Sequence, residues 1–226
     1  MPPTLAFDHI AIAAASLGEG IDFVEERLGV RVPLGGKHPI MNTHNAVMRL
    51  GEGIYLEVIS IDPEAGPAAC PRWFALDDPQ MQARLRSDGP SLVAWIARSA
   101  DIAGTVAASS VTLGEVRQMS RGTLQWQIAV RPDGSLPLGG AFPLVIEWPS
   151  GPHPSVRMAD LGVRFGGLTL RAGRAEELKA ALASIGADGL VEVKSLRRGL
   201  EPLEVTLVRP DGLSTTLTGG QLQAVG

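Results

Sequence analysis

Two residues in this chain combine a reactive type with an unusual setting. His9 lies in the apolar stretch 5–14, and Glu57 is flanked by Leu56 and Val58 in the stretch 54–61. Both stretches read as strands. Alternation puts Phe7, His9, Ala11 and Ala13 on one face of the first, and Tyr55, Glu57 and Ile59 on one face of the second. A carboxylate in so apolar a strand needs a partner, because an unpaired buried charge is costly. An imidazole and a carboxylate facing one cleft suit a divalent ion of intermediate hardness such as Zn²⁺, Mn²⁺, Fe²⁺ or Ni²⁺. Such an ion polarises a carbonyl and stabilises the enediolate that follows. The plainer alternatives are a hydrogen-bonded histidine and a salt bridge from Glu57, for instance to Arg49.

Around this pair stand further candidates. His44 and Asn45, with Thr43 and the loop residue His38, are placed to touch a substrate oxygen, although Asn and Thr also satisfy backbone groups in turns. Arg121 is a cation for an anionic substrate. His153, in Ser-Gly-Pro-His-Pro, reads as a rigid turn rather than a ligand, and Cys70 has no nucleophile constellation around it. There is no serine triad order, phosphate loop, zinc-ribbon spacing or nucleotide fingerprint.

The elements that must position these residues recur. Strand 5–14 is followed by Ser16-Leu-Gly-Glu19, with capping-box spacing, and by a helix whose Ile21, Val24 and Leu28 form one apolar stripe ending at Gly29. A second strand begins over 29–33, a loop spans 35–39, and strands follow over 43–50 and 54–61. A Pro-rich connector predicts a helix over 71–86. The order strand, helix, three strands then returns over 91–148 and again over 167–218. Arg131-Pro-Asp-Gly134 and Arg209-Pro-Asp-Gly212 fill the same slot in the later repeats, where Leu50-Gly-Glu-Gly53 stands in the first. The division is therefore a first βαβββ unit (1–62), a connector (63–90), a second unit (91–155) and a third βαβββ-like unit (156–226), in an α+β fold.

Composition limits the partners. Of 226 residues, 45% are hydrophobic and 19% charged, enough to bury a core, and the net charge of −4 shows no basic stripe for nucleic acid. Aromatics are 4%, too few for base-stacking platforms. No apolar run reaches the roughly 18 residues that span a bilayer. Residues 1–4 lack a signal-peptide pattern, and the single cysteine fits a reducing compartment, so a cytoplasmic protein is expected.

A unit that opens with Asp8-His9-Ile10-Ala11-Ile12 and closes with Tyr55-Leu56-Glu57-Val58 resembles the vicinal-oxygen-chelate superfamily of glyoxalase I, extradiol dioxygenases and bleomycin-resistance proteins. His38-Pro39, Thr43-His44-Asn45-Ala46, Leu50-Gly51 and Tyr55-Leu56-Glu57 look most like its glyoxalase-like subgroup. The resemblance implies paired units whose curled mixed sheets form a cleft holding a divalent metal on their first and fourth strands. By position the ligands are His9, Glu57 and Glu147, and Glu147 can instead be the proton-shuttling catalytic base if burial raises its pKa. Val93 stands where unit two's first-strand ligand is expected, so neither a four-ligand site nor a two-His, one-carboxylate site is complete. Trp95 falls on the expected cleft face, as pocket wall or as core. The implied function is a metal-dependent lyase, isomerase or oxygenase acting on a small oxygen-rich molecule. The alternative is a metal-free small-molecule binder of the drug-sequestering, bleomycin-resistance kind. Units can pair within one chain or across two, so a homodimer is an open arrangement.

Overall fold

The computed structural model describes residues 5–198 and 201–220. Residues 1–4, where the sequence lacks a signal-peptide pattern, lie outside them, as do 199–200 and 221–226 of the third unit. Strand β1 (Leu5–Ala13) leads into helix α1 (Leu17–Leu28). Ser16 Oγ accepts the Glu19 N–H, and Gly29, at φ 72°, returns its N–H to the Glu25 carbonyl. The cap, stripe and stop therefore fall where the sequence puts them, with Ile21, Val24 and Leu28 buried.

Strands β2 (Leu34–His38), β3 (Thr43–Gly51) and β4 (Ile54–Ile61) complete the first unit. The expected loop around Gly35-Gly36 is strand, and the expected strand over 29–33 is not. Glycine misleads here because its role is to make room. A Cβ on Gly35 would sit 2.3 Å from Asn45 Oδ1, and one on Gly36 would sit 2.8 Å from Arg121 Cδ. The bare backbone of β2 admits two side chains that belong to the site.

The connector is helical only over α2 (Pro79–Ser87), capped by Asp78. Before it, Phe74 and Ala75 take φ of 58° and 55°. That left-handed turn breaks the expected longer helix and folds Trp73 and Phe74 into the interior.

The second unit contains β5 (Ser91–Ser99), α3 (Ile102–Ala108), β6 (Glu115–Arg121), β7 (Leu124–Val130) and β8 (Leu144–Glu147). The third contains β9 (Arg164–Ala172), α4 (Ala175–Ser184), β10 (Glu192–Ser195), β11 (Leu203–Val208) and β12 (Ser214–Gly219). All strands join in one 12-stranded mixed sheet. Units one and two are wired alike. In each, the first strand pairs in parallel with the fourth, and the units meet through antiparallel β1 and β5. The third unit repeats the order of elements but not the wiring. Its strands run β10-β9-β11-β12, with β9 parallel to β10 and antiparallel to β11. It reaches β5 through a single residue pair, Gly219 with Leu92.

The sheet has two apolar sides. One carries Ile10, Ile12, Leu56 and Val58 against α1, and continues into the third unit through Leu168, Leu182 and Leu203. The sheet of the third unit thus backs the helix side, while Met158 from its leading segment reaches the cleft. The other side holds Ala11, Ile59, Trp73, Trp126 and Ile146. Two bulges break the alternation expected from sequence. Asp8 is skipped in the β1–β5 register between Phe7 and His9, and Val93 is skipped between Ala94 and Leu92. As a result Phe7 and Trp95 stack together on the helix side, ring centroids 5.6 Å apart, while His9 faces the cleft.

Gly35→Ala should destabilise the protein by about 1–3 kcal/mol in urea unfolding, because its new methyl collides with Asn45. Gly18→Ala, exposed on α1 with nothing within 4 Å of a new Cβ, should shift stability the other way by about 0.5–1 kcal/mol.

Candidate functional site

A cavity of about 40 Å³ opens between the two units. Its floor is polar: His9 from β1, Asn45 from β3, Glu57 from β4 and His38 from β2. Its walls are aromatic, with Tyr55, Trp73, Phe74, Trp126 and Trp148 around it, and Arg121 stands on the β6 side.

The network starts at Asp8, which has no solvent exposure. Its Oδ1 accepts from His9 Nδ1 at 2.6 Å. Its Oδ2 accepts from Trp148 Nε1 at 2.9 Å and from His153 Nε2 at 3.0 Å. The Ser155 N–H points at His153 Nδ1, so the proton of that ring is on Nε2, facing Asp8. Burial works to raise the Asp8 pKa, but these bonds and the neighbouring histidines outweigh it and bring the group down to about 2. Asp8 is therefore a fixed anion.

With Nδ1 tied to Asp8, His9 turns Nε2 toward Glu57 Oε2, 3.6 Å away. Tyr55 stacks on the imidazole with centroids 4.2 Å apart. Burial opposes a charged ring, yet the two carboxylates hold the His9 pKa above its ordinary value. Burial likewise opposes ionised Glu57, and His9 brings its pKa below the usual range. The carboxylates favour the charged ring and the ring favours the ionised carboxylate, so each partner supports the charge of the other. Tyr55, raised well above 10 by burial and by both carboxylates, stays a neutral phenol.

Asn45 links this pair to the far wall. Its Oδ1 accepts from the Gly36 N–H at 3.0 Å and from Arg121 at 2.7 Å. Two donors on one atom fix the amide orientation, so Nδ2 donates to Glu57 Oε1 at 2.6 Å. The same NH₂ lies 3.4 Å from His38 Nε2, which must then be an acceptor, and His38 Nδ1–H donates to Thr43 Oγ1 at 3.0 Å. Burial, aided by Arg121, pushes the His38 pKa down to about 4, so this ring is neutral.

Of the residues singled out by sequence, His9, Glu57 and Asn45 come together, with His38 and Arg121 beside them. His44 does not join them. It occupies the opposite face of β3, where its Nε2 is buried without a partner. Trp95 is fully buried on the helix side and donates to the Ala141 carbonyl at 3.3 Å. Glu147 points away as well. Its neighbours Ile146 and Trp148 line the cavity, while its own carboxylate accepts the Ile102 N–H at 2.7 Å, at the start of α3. Sequence reasoning missed Asp8, the residue next to His9. Its signal was the Asp-His pair itself, hidden because regular alternation sends neighbours to opposite faces.

A divalent metal, which the resemblance implies, would meet few donors here. His9 Nε2 and Glu57 Oε2 face each other, and the Asp8 bond to Nδ1 is the orientation a metal-bound histidine favours. The donor set stops there. Among the described residues no three His, Cys, Asp or Glu side chains are grouped to hold an ion, and Glu147 is engaged elsewhere. Two protein ligands are fewer than a resident divalent ion needs.

The sequence matches the glyoxalase-like domain family over residues 7–186, and the chain belongs to that family. No curated protein matches it. Among solved structures, a hypothetical protein from Staphylococcus aureus aligns with TM-score 0.57 and 12% identity, over 96% of this chain and 87% of that one. Methylmalonyl-CoA epimerase from Mycobacterium tuberculosis aligns at 0.40 with 17% identity, covering 65% and 89%. A 4-hydroxymandelate synthase mutant from Streptomyces coelicolor aligns at 0.44 with 15% identity, covering 98% and 64%. Among the described residues no helix is long and apolar enough to cross a membrane.

His38 gives the site a pH signature. Its folded pKa near 4 lies below the ordinary 6.5, so between these values the unfolded chain binds the extra proton and stability falls with the pH. The loss from pH 6.5 to 4 should be about 3 kcal/mol. His9, shifted the other way, adds no slope below 6.5. Urea unfolding of His38→Gln across this range should show a shallower dependence than wild type, and parallel curves would refute the assignment.

Proposed function

We propose that the chain is an enzyme that binds a small carbonyl compound in this cavity and moves a proton beside the carbonyl, in the manner of an isomerase or lyase. The observation that carries the reading is the His9–Glu57 pair. An acid and a base, both buried, stand 3.6 Å apart on the floor of a cavity, each held from behind by a second hydrogen bond.

In this scheme Glu57 Oε2 takes the proton from the carbon next to the carbonyl. The C–H electrons become the carbon–carbon double bond of an enol, and His9 Nε2–H gives its proton to the carbonyl oxygen. Returning the proton to either face of the carbon, or to a neighbouring atom, completes an isomerisation. Asp8 keeps Nδ1 protonated throughout, so Nε2 is the nitrogen that exchanges. A substrate that separates the pair also removes the His9 contact that keeps Glu57 acidic. Burial then dominates and pushes the Glu57 pKa toward the range of a working base.

A second reading has its own support. Five aromatic rings surround the cavity, which suits retention of a flat ligand without turnover.

Hydroxyacetone, methylglyoxal and pyruvate, each incubated in D₂O, separate the readings by proton NMR. Exchange next to the carbonyl should be accelerated for at least one of them, and His9→Asn and Glu57→Gln should each slow it by about 10²–10⁴-fold. No acceleration with any probe, or full activity in both variants, sinks the enzymatic reading. Saturable binding without exchange transfers the case to sequestration. Stoichiometric metal in the purified protein, lost in both His9→Ala and Glu57→Ala, would replace proton transfer between side chains with metal chemistry.

A further inference from the structure

Arg121 is the cavity group that the proton-transfer scheme leaves unused. It stands at the end of β6, and its side chain crosses to unit one over the bare backbone of Gly36. One of its N–H groups donates to Asn45 Oδ1 at 2.7 Å. Among the described residues no carboxylate forms an ion pair with it, and Asn45 is its one side-chain hydrogen-bond partner. Leu124, Trp126 and Ile128 line the cavity beside it. Its guanidinium is partly buried beside this apolar wall and keeps donors that no carboxylate engages among the described residues.

We propose that Arg121 is the anion-recognition residue of the cavity and that the substrate is a small monocarboxylate, its carboxylate seated on the guanidinium and its reacting carbon over Glu57. This rests on the proton-transfer reading of the same cavity and adds the substrate class. Three observations converge on it. Arg121 keeps four N–H donors beyond the one given to Asn45, enough for a two-pronged grip on a carboxylate. The Asn45 carboxamide spans from Arg121 to Glu57 Oε1, so the charge-binding end and the base are one amide apart. A cavity of about 40 Å³ holds roughly three water positions, which suits a molecule of a few heavy atoms and excludes a nucleotide or a thioester of coenzyme size from the enclosed part. Asn45 becomes a positioning residue. It must accept at one end and donate at the other, a task that aspartate cannot do without facing Glu57 with a second carboxylate.

The test uses charge at constant shape. Pyruvate and glycolate are titrated against pyruvamide and glycolamide, followed by tryptophan fluorescence, for which Trp73, Trp126 and Trp148 are built-in reporters, and by calorimetry. At least one carboxylate should bind wild-type protein saturably, its amide about tenfold or more weakly. Arg121→Gln should remove that preference and weaken the carboxylate by about tenfold or more, and Arg121→Lys should restore part of it. Amides that match their acids, an Arg121→Gln protein that binds as wild type, or no saturable carboxylate binding overturns the proposal. The two readings fail separately. Carboxylate binding without deuterium exchange removes the enzyme but keeps Arg121. Exchange on uncharged hydroxyacetone without carboxylate binding does the reverse.

Discussion

Asp8 has no contact with solvent, and a carboxylate in that position survives only if donors surround it. The donors come from far apart in the chain: His9 next door, and Trp148 and His153 from the end of the second unit. Satisfying one buried charge therefore locks the two units together at the point where β1 and β5 meet. The bulge at Asp8 makes this geometrically feasible. Regular pleating would send Asp8 and His9 to opposite faces, whereas the extra residue lets both side chains work on the cleft side. The orientation of His9, the charge on Glu57 and the place of Tyr55 all follow from that anchoring.

From this anchor the polar chain runs outward in a fixed order of donors and acceptors. Asp8 accepts, His9 donates at one nitrogen and faces Glu57 with the other, Glu57 accepts from Asn45, and Asn45 accepts from Arg121. Each link leaves one choice for the next, so tautomers and amide orientation are determined rather than free. A network satisfied this fully is rigid. The slack lies at the 3.6 Å gap between His9 and Glu57 and at the unused donors of Arg121, which are the two places where a ligand would enter. The strained turn at Phe74 and Ala75 serves the same end. It sets Trp73, which donates to Thr43 Oγ1 at 3.3 Å, against the neutral ring of His38.

Much of this was legible in the sequence. Ser16 and Gly29 delimit α1, the runs at 54–61 and 203–208 are strands, and alternation in β4 turns Tyr55 and Glu57 to the cavity. What failed to show has physical causes. The bulges at Asp8 and Val93 each add one residue to a period of two, so Phe7 and Trp95 ended on the helix side. Gly35 and Gly36 look like a loop because glycine favours turns, but here they yield space to Asn45 and Arg121, a demand set by residues distant in sequence. The third unit's element order was readable from its own residues. Its strand order was not, since pairing β9 with β10 and β11 is a tertiary choice.

Glu147 marks where the chain departs from the ligand pattern that the resemblance implies. The position in β8 that family resemblance assigns to a ligand does carry a carboxylate, but the pleat places Ile146 and Trp148 in the cavity and leaves Glu147 facing α3. There it meets an unsatisfied backbone N–H at a helix start, a stable use for a negative charge. Bringing it back would require a register slip of one residue, which would expel Ile146 and Trp148 and strip Asp8 of one of its donors. The donor set is held at His9 and Glu57 by the same packing that satisfies Asp8. Within this frame those two side chains are left facing each other across 3.6 Å, with the space between them open to the cavity.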